Sequence, residues 1–129
     1  MPVQRLDAYA IDSDRSGQFA TTMLVSGRQL PVLVDTGATY VTLTAEDAAT
    51  LGLHPADSAF RYAFQTANGT ARAAPVLLPE IRVGNVSVRD VQAFVSKPGA
   101  LTGQSLLGMS FLRKLSGFEI QRGQLVLKQ

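Results

Sequence analysis

The sequence predicts a mostly-β domain, a barrel or sandwich of short hairpins with two short helices. Three observations predict it. Short apolar runs rich in Val, Leu, Ile and Thr are broken by turn signals roughly every ten residues. Several of those signals are tight pairs of the kind that joins antiparallel strands: Ser26-Gly27, Asn68-Gly69, Gly84-Asn85 and Arg122-Gly123. Only two stretches carry helix signals, and both are short. A length of 129 residues suits one domain around one core.

Taken in order, residues 1–16 are polar, with the run Asp12-Ser13-Asp14-Arg15-Ser16. They read as a tail or linker holding a short strand around 6–11, and the domain is assigned to 17–129. Residues 18–25 and 28–34 read as a hairpin about Ser26-Gly27. Thr36-Gly37 reads as a tight turn, because Gly accepts backbone angles that other residues resist. Residues 40–43 resume as a strand. Thr44-Ala45-Glu46-Asp47 opens a helix over 45–51, with Thr44 as cap, Asp47 reaching back, and Gly52 ending it. Residues 60–66 alternate, placing Phe60, Tyr62 and Phe64 on one face. Asn68-Gly69 turns the chain, and 70–78 returns as an Ala-rich arm. Residues 80–83 and 86–95 form a further hairpin. Residues 96–104 hold Pro98, Gly99 and Gly103 and read as a loop. An apolar strand end at 105–108 leads into a helix over 109–115, and 118–121 with 124–128 make the last hairpin. A weak repeat is visible: Val25-Ser26-Gly27-Arg28 and Val83-Gly84-Asn85-Val86 each begin a hairpin. Each hairpin leads to a Gly-containing turn, at Gly37 and Gly108, and then to a helix.

Composition removes several function classes. The chain has no cysteine, which excludes disulfides, thiolate metal sites and a Cys nucleophile. Its one histidine, His54, excludes a multi-His metal site within one chain. A Ser-His-Asp triad could use only His54, which follows Gly52-Leu53 and reads as an exposed loop residue. Twelve basic residues against ten acidic give a net charge of +2, and only Arg113-Lys114 are adjacent, so no nucleic-acid footprint is present. No run approaches the ~18 apolar residues that span a bilayer. Residues 1–17 carry Arg5, Asp7, Asp12, Asp14 and Arg15, unlike a signal peptide, and the chain as given reads as soluble.

The remaining chemistry gathers at Asp35. It ends the apolar run Leu30-Pro31-Val32-Leu33-Val34, and no other charge lies between Arg28 and Glu46. Thr36-Gly37-Ala38 follow, and then a second apolar run. Two buried strands thus carry a carboxylate to the tip of a turn, where an acid is rigidly held for acid–base work.

An apolar run followed by Asp35-Thr36-Gly37-Ala38 resembles the catalytic loop of the retropepsin-like aspartic proteases. Two further pieces are similar to that family, in the family's order. The hairpin at Thr66-Ala67-Asn68-Gly69 looks like its substrate-covering flap. Leu106-Leu107-Gly108, followed by Met109-Ser110-Phe111-Leu112, looks like the segment packed behind the catalytic loop. The wording is similar to a bacterial branch, and the resemblance covers nearly all of the chain. It implies a closed β-barrel and peptide-bond hydrolysis without a cofactor. Asp35, Thr36 and Gly37 would be the catalytic set, with Ala38, Ala67, Asn68 and Gly69 against the substrate. The family's equivalent of Thr36 braces two catalytic loops across a dyad.

Metal-free hydrolysis by carboxylates needs two of them sharing one proton, since like charges about 3 Å apart cannot both ionise. Only one Asp-Thr-Gly occurs; Asp57 and Asp90 lack the apolar approach and the following Thr-Gly. The second aspartate is therefore expected from a second copy in a two-fold homodimer acting on a protein or peptide. Residues 124–128 are the candidate edge strand for it. The alternative is a non-catalytic peptide-binding or dimerisation module with the same fold. Bacterial relatives of this kind are usually tethered on the periplasmic side of the inner membrane by an N-terminal helix, and no such helix is visible here.

Overall fold

The computed structural model describes residues 7–66, 69–101 and 103–129. The strands in chain order are β1 (Ala8–Asp12), β2 (Phe19–Val25), β3 (Arg28–Val34), β4 (Val41–Leu43), β5 (Tyr62–Thr66), β6 (Gly69–Val83), β7 (Val86–Ser96), β8 (Ser105–Leu107), β9 (Gly117–Gln121) and β10 (Gln124–Lys128). The helices are α1 (Ala45–Thr50) and α2 (Met109–Leu112). Six strands close into a ring in the order β2-β3-β8-β4-β7-β6, with Leu24 opposite Arg82 completing it. A closed barrel leaves its staves no free edges. β5 hangs from the far end of β6, and β1-β10-β9 form a second sheet.

The weak repeat in the sequence is a real structural exchange. The first unit runs β2-β3-β4-α1 and the second β6-β7-β8-α2. The last strand of each hairpin pairs in parallel with the short strand of the other unit: β3 with β8, and β7 with β4. β4 and β8 also pair with each other, Thr42 opposite Leu106. Neither unit can close alone, because each completes the other's wall.

Strand alternation fills the interior. Leu30 and Val32 of β3, Val41 and Leu43 of β4, and Val91, Ala93 and Val95 of β7 are buried with Phe111 and Leu112 of α2. Among the described residues the buried polar side chains are satisfied. Thr44 caps α1 by accepting from the Asp47 N–H (3.0 Å). Asp47 does not reach back to Thr44 as expected; the fully buried Ser105 stands between them. Its Oγ accepts the Thr44 N–H (3.0 Å) and donates to Asp47 Oδ2 (2.5 Å).

Other expectations are revised. The short strand expected around 6–11 is present as β1, but it pairs along β10 and buries Ile11, so this part of the stretch read as a tail packs with the domain. As a result β10 lies between β1 and β9 and is the centre of its sheet, not an edge. Residues 70–78 and 80–83 form one strand, β6, that runs through Pro79. Leu78 pairs with Val91 and Glu80 with Arg89, which leaves Pro79 facing Asp90. Proline has no N–H to offer there. Lys114 Nζ donates instead to the Asp90 and Arg89 carbonyls (2.6 and 3.1 Å), and Asp90 takes φ +55°. Phe60 closes a 3-10 turn, Asp57–Ala59, and precedes β5. α2 is a single turn, shorter than the 109–115 helix expected.

At Gly108 a glycine lies directly against the backbone of a neighbouring segment. A Cβ there would stand 2.4 Å from the Tyr40 carbonyl oxygen and 2.7 Å from that of Ala38. Both obstacles are backbone. Gly108→Ala should therefore cost about 1–3 kcal/mol of stability. Gly117→Ala, with nothing within 4 Å, should stay within about 0.5 kcal/mol. Chemical denaturation of the two variants side by side checks this.

Candidate active site

Asp35 continues β3 by one residue. Its N–H donates to the Leu107 carbonyl of β8 (3.1 Å), so the barrel wall fixes its backbone. Its own carbonyl accepts the Ala38 N–H (3.1 Å), closing a turn over Thr36 and Gly37. The half-buried side chain accepts the Gly37 N–H at Oδ1 (2.9 Å). Gly37 does not have positive φ, contrary to the usual reason for a turn glycine. A Cβ there would lie 3.2 Å from Asp35 Oδ1, so the glycine keeps that side of the carboxylate clear.

The loop is docked from behind by the second unit. The Met109 N–H donates to the Ala38 carbonyl (2.8 Å), and Gly108 lets the two backbones touch. Ser110 fixes the exit. Its Oγ accepts the Val41 N–H (2.8 Å) and donates to the Gln92 carbonyl of β7 (2.6 Å).

In front lies a cavity of about 610 Å³. Asp35, Gly37 and Ala38 line one side, and Tyr62, Ala63, Phe64 and Gln65 of β5 the other. Its floor follows from register. Leu33 is opposite Leu106, Leu106 opposite Thr42, and Thr42 beside Phe94, across four neighbouring strands. Asp35 is two residues beyond Leu33, on the same face as that row. Asp35 is the sole ionisable acid or base among the described lining residues apart from Tyr40 and Tyr62. A second cavity, about 320 Å³, lies on its other flank against Gln18, Phe19 and Val34.

Of the residues singled out by sequence, Asp35, Gly37 and Ala38 meet in the cavity. Thr36 is exposed at the turn, and among the described residues its hydroxyl has no partner. Gly69 begins β6 opposite Thr66, with φ +115°. Ala67 and Asn68 lie outside the described residues. His54 is exposed, as expected. Among the described residues no three His, Asp or Glu side chains cluster as metal ligands. Sequence reasoning placed Gly108 and Ser110 behind the catalytic loop but missed Ser105 and Phe94 and the bond from Val41 to Ser110, whose partners Thr44, Thr42 and Val41 lie more than 50 residues away.

Comparison with known proteins agrees with this geometry. A family model described as gag-polyprotein putative aspartyl protease matches residues 21–114. An uncharacterized protein in the cobV 5' region of Sinorhizobium sp is 46% identical over 113 residues, which is 88% of this chain and 48% of that protein. The uncharacterized protein RP867 of Rickettsia prowazekii (strain Madrid E) is 35% identical over 111 residues, 86% of this chain and 47% of that protein. The chain thus spans about half the length of the curated relatives it matches. The crystal structure of a retropepsin-like aspartic protease from Rickettsia conorii superposes with TM-score 0.84 at 32% identity, covering 96% of this chain and 92% of that one. The EIAV protease complexed with the inhibitor HBY-793 shares the fold, with TM-score 0.63, 18% identity, and coverage of 81% and 93%.

The Ser110 bridge makes a checkable statement about how the loop is held. Ser110→Ala strips a partner from both the Val41 N–H and the Gln92 carbonyl, and should lower stability by about 1–3 kcal/mol. A urea titration would show it as a lower midpoint at unchanged slope.

Proposed function

The chain belongs to the retropepsin-like family of the gag-polyprotein putative aspartyl proteases, and from that we propose that it is an aspartic endopeptidase, active as a homodimer through two Asp35 carboxylates. The observation that carries the reading is Asp35 itself. It is pinned by its backbone to β8 and oriented by Gly37, and it is the one carboxylate among the described residues that line the cavity.

One carboxylate cannot both take and give a proton at the same moment. A second Asp35, brought in by a two-fold axis, supplies the other role. The two share one proton. The ionised carboxylate takes a proton from water as the water oxygen bonds to the scissile carbonyl carbon. The protonated one donates to the carbonyl oxygen, giving a neutral tetrahedral diol. The first carboxyl then returns its proton to the amide nitrogen while the second takes a proton from a diol hydroxyl, which breaks the C–N bond, releases an acid and an amine, and restores the shared proton. Support for the dimer comes from Thr36, whose exposed hydroxyl, unpartnered among the described residues, can bond the partner's loop. Ala38 and the hairpin end at Ala67, Asn68 and Gly69 would hold the substrate backbone. Placement on the periplasmic side of the inner membrane carries over from the bacterial members the sequence resembles.

Asp35→Asn keeps shape but removes the base and the shared proton. Cleavage of an unstructured protein should vanish with circular dichroism unchanged. Excess Asp35→Asn chains should also poison the wild type through mixed dimers. Retained cleavage by the Asn variant would sink the reading.

The rate should peak on the acid side of neutrality and fall on both flanks. At lower pH the second carboxylate gains a proton and the base is lost; at higher pH the shared proton leaves and the donor is lost. A pH–rate series from acid to alkaline tests it, and an optimum well above pH 8 would contradict it.

A further inference from the structure

Three rings that line the cavity meet at Phe94. Phe94 of β7 receives Tyr40 edge-on, with centroids 4.9 Å apart and planes at 70°, and Tyr62 of β5 edge-on at 5.4 Å and 61°. The second contact is unusual in its reach. β5 and β7 are not neighbours; β6 lies between them. Two strand spacings amount to about 10 Å, too far for adjacent rings unless the strand between offers no bulk. Tyr62 pairs with Ala73 of β6, and Ala73 with Ser96 of β7. The methyl group of Ala73, 1% exposed, is the saddle over which the Tyr62 ring reaches Phe94.

The surroundings give this contact its weight. The hairpin of β5 with the start of β6 projects past the barrel. It is also tied by the backbone ladder to β6, by the Lys97 N–H donating to the Arg72 carbonyl (3.1 Å), and by a side-chain bond between Gln65 and Thr70 within the hairpin itself (3.3 Å). Residues 71 to 74 of its second arm are Ala, Arg, Ala and Ala, which offer little side chain to grip the body. Tyr62 is 54% exposed and so is not held by burial. Tyr40, which also packs on Phe94, follows the Asp35 turn by two residues. Phe94 is therefore a common seat for the hairpin arm and for the strand that leaves the catalytic loop.

We propose that Tyr62, seated on Phe94 across Ala73, is the positioning residue that sets the height of the β5–β6 arm above the Asp35 loop. It acts through the arm and not on the reacting atoms. An apolar substrate side chain entering the cavity then meets a wall already at its working distance, so less ordering is left to binding. This rests on the proteolytic reading for its consequence in turnover, but not for the contact itself.

The test is run on the full chain, first in the Asp35→Asn background, where self-cleavage cannot interfere. Hydrogen exchange is followed for peptides covering 62–73 and, as reference, 76–83. Tyr62→Ala should speed exchange of 62–73 about three- to ten-fold, the range that an aromatic pair supports, and leave 76–83 unchanged. Tyr62→Phe, which keeps the ring, should restore slow exchange. Leu77→Ala, exposed elsewhere on β6, should do nothing. In the Asp35 protein, Tyr62→Ala should raise KM for an unstructured peptide by a similar factor with kcat changed less than about two-fold, and Tyr62→Phe should restore KM. Unchanged exchange in Tyr62→Ala, equal acceleration in 76–83, or failure of Phe to rescue would each overturn the proposal. The expected exchange pattern with no hydrolysis by wild type would leave the seat standing and remove the protease reading. Hydrolysis with unchanged exchange would do the reverse.

Discussion

The contact on which the site depends is backbone against backbone, where the corner between β8 and α2 is pressed onto the Asp35 loop. Gly108 brings the two chains to a separation that no side chain would allow. That closeness lets Leu107 accept from the Asp35 N–H on one side of the corner and Met109 donate to Ala38 on the other. The carboxylate is thereby positioned from both ends of its turn by groups that cannot rotate. Main-chain bonds of this kind lose little to side-chain entropy, which makes them suited to holding a reactive group in one place.

The exchange of strands between the two units supplies that corner. β8 belongs to the second unit but lies along β3 of the first, and β4 is lent in return to β7. The Asp35 loop is therefore built only when both halves have folded. Ser105 and Ser110 reinforce the same seam, each joining backbone of the first unit to side chains or backbone of the second or of α1. A cooperative barrel follows, in which the site and the core are secured by the same contacts.

Much of this was legible because it is local. The pairs Ser26-Gly27 and Arg122-Gly123 announce turns through residues that tolerate positive φ, and the structure has them there. The Thr44 cap and the placement of Asp35 at the end of an apolar strand are local too. What escaped depends on distant partners. Pro79 looked like a strand end because the donor replacing its missing N–H sits on Lys114, past the end of α2. Residues 124–128 looked like an edge because β1, more than a hundred residues earlier, fills the space beside them. Gly37 was read for its conformational freedom, whereas its value lies in the room it leaves beside a carboxylate.

β6 is at once a stave of the barrel and an arm over the cavity. From Ala73 to Val83 it is laddered to β7, while from Gly69 to Ala73 it supports β5. Nothing interrupts it between those parts, so the arm is a cantilever clamped in the wall and not a flap on a loose hinge. A beam of this kind moves by bending along its length, and its stiffness is that of the sheet in which it is rooted. Force applied by a bound chain at the arm is thus delivered through Pro75 to β7, the strand that carries Phe94 and adjoins β4. The barrel wall is in this sense the spring of the site as well as its frame.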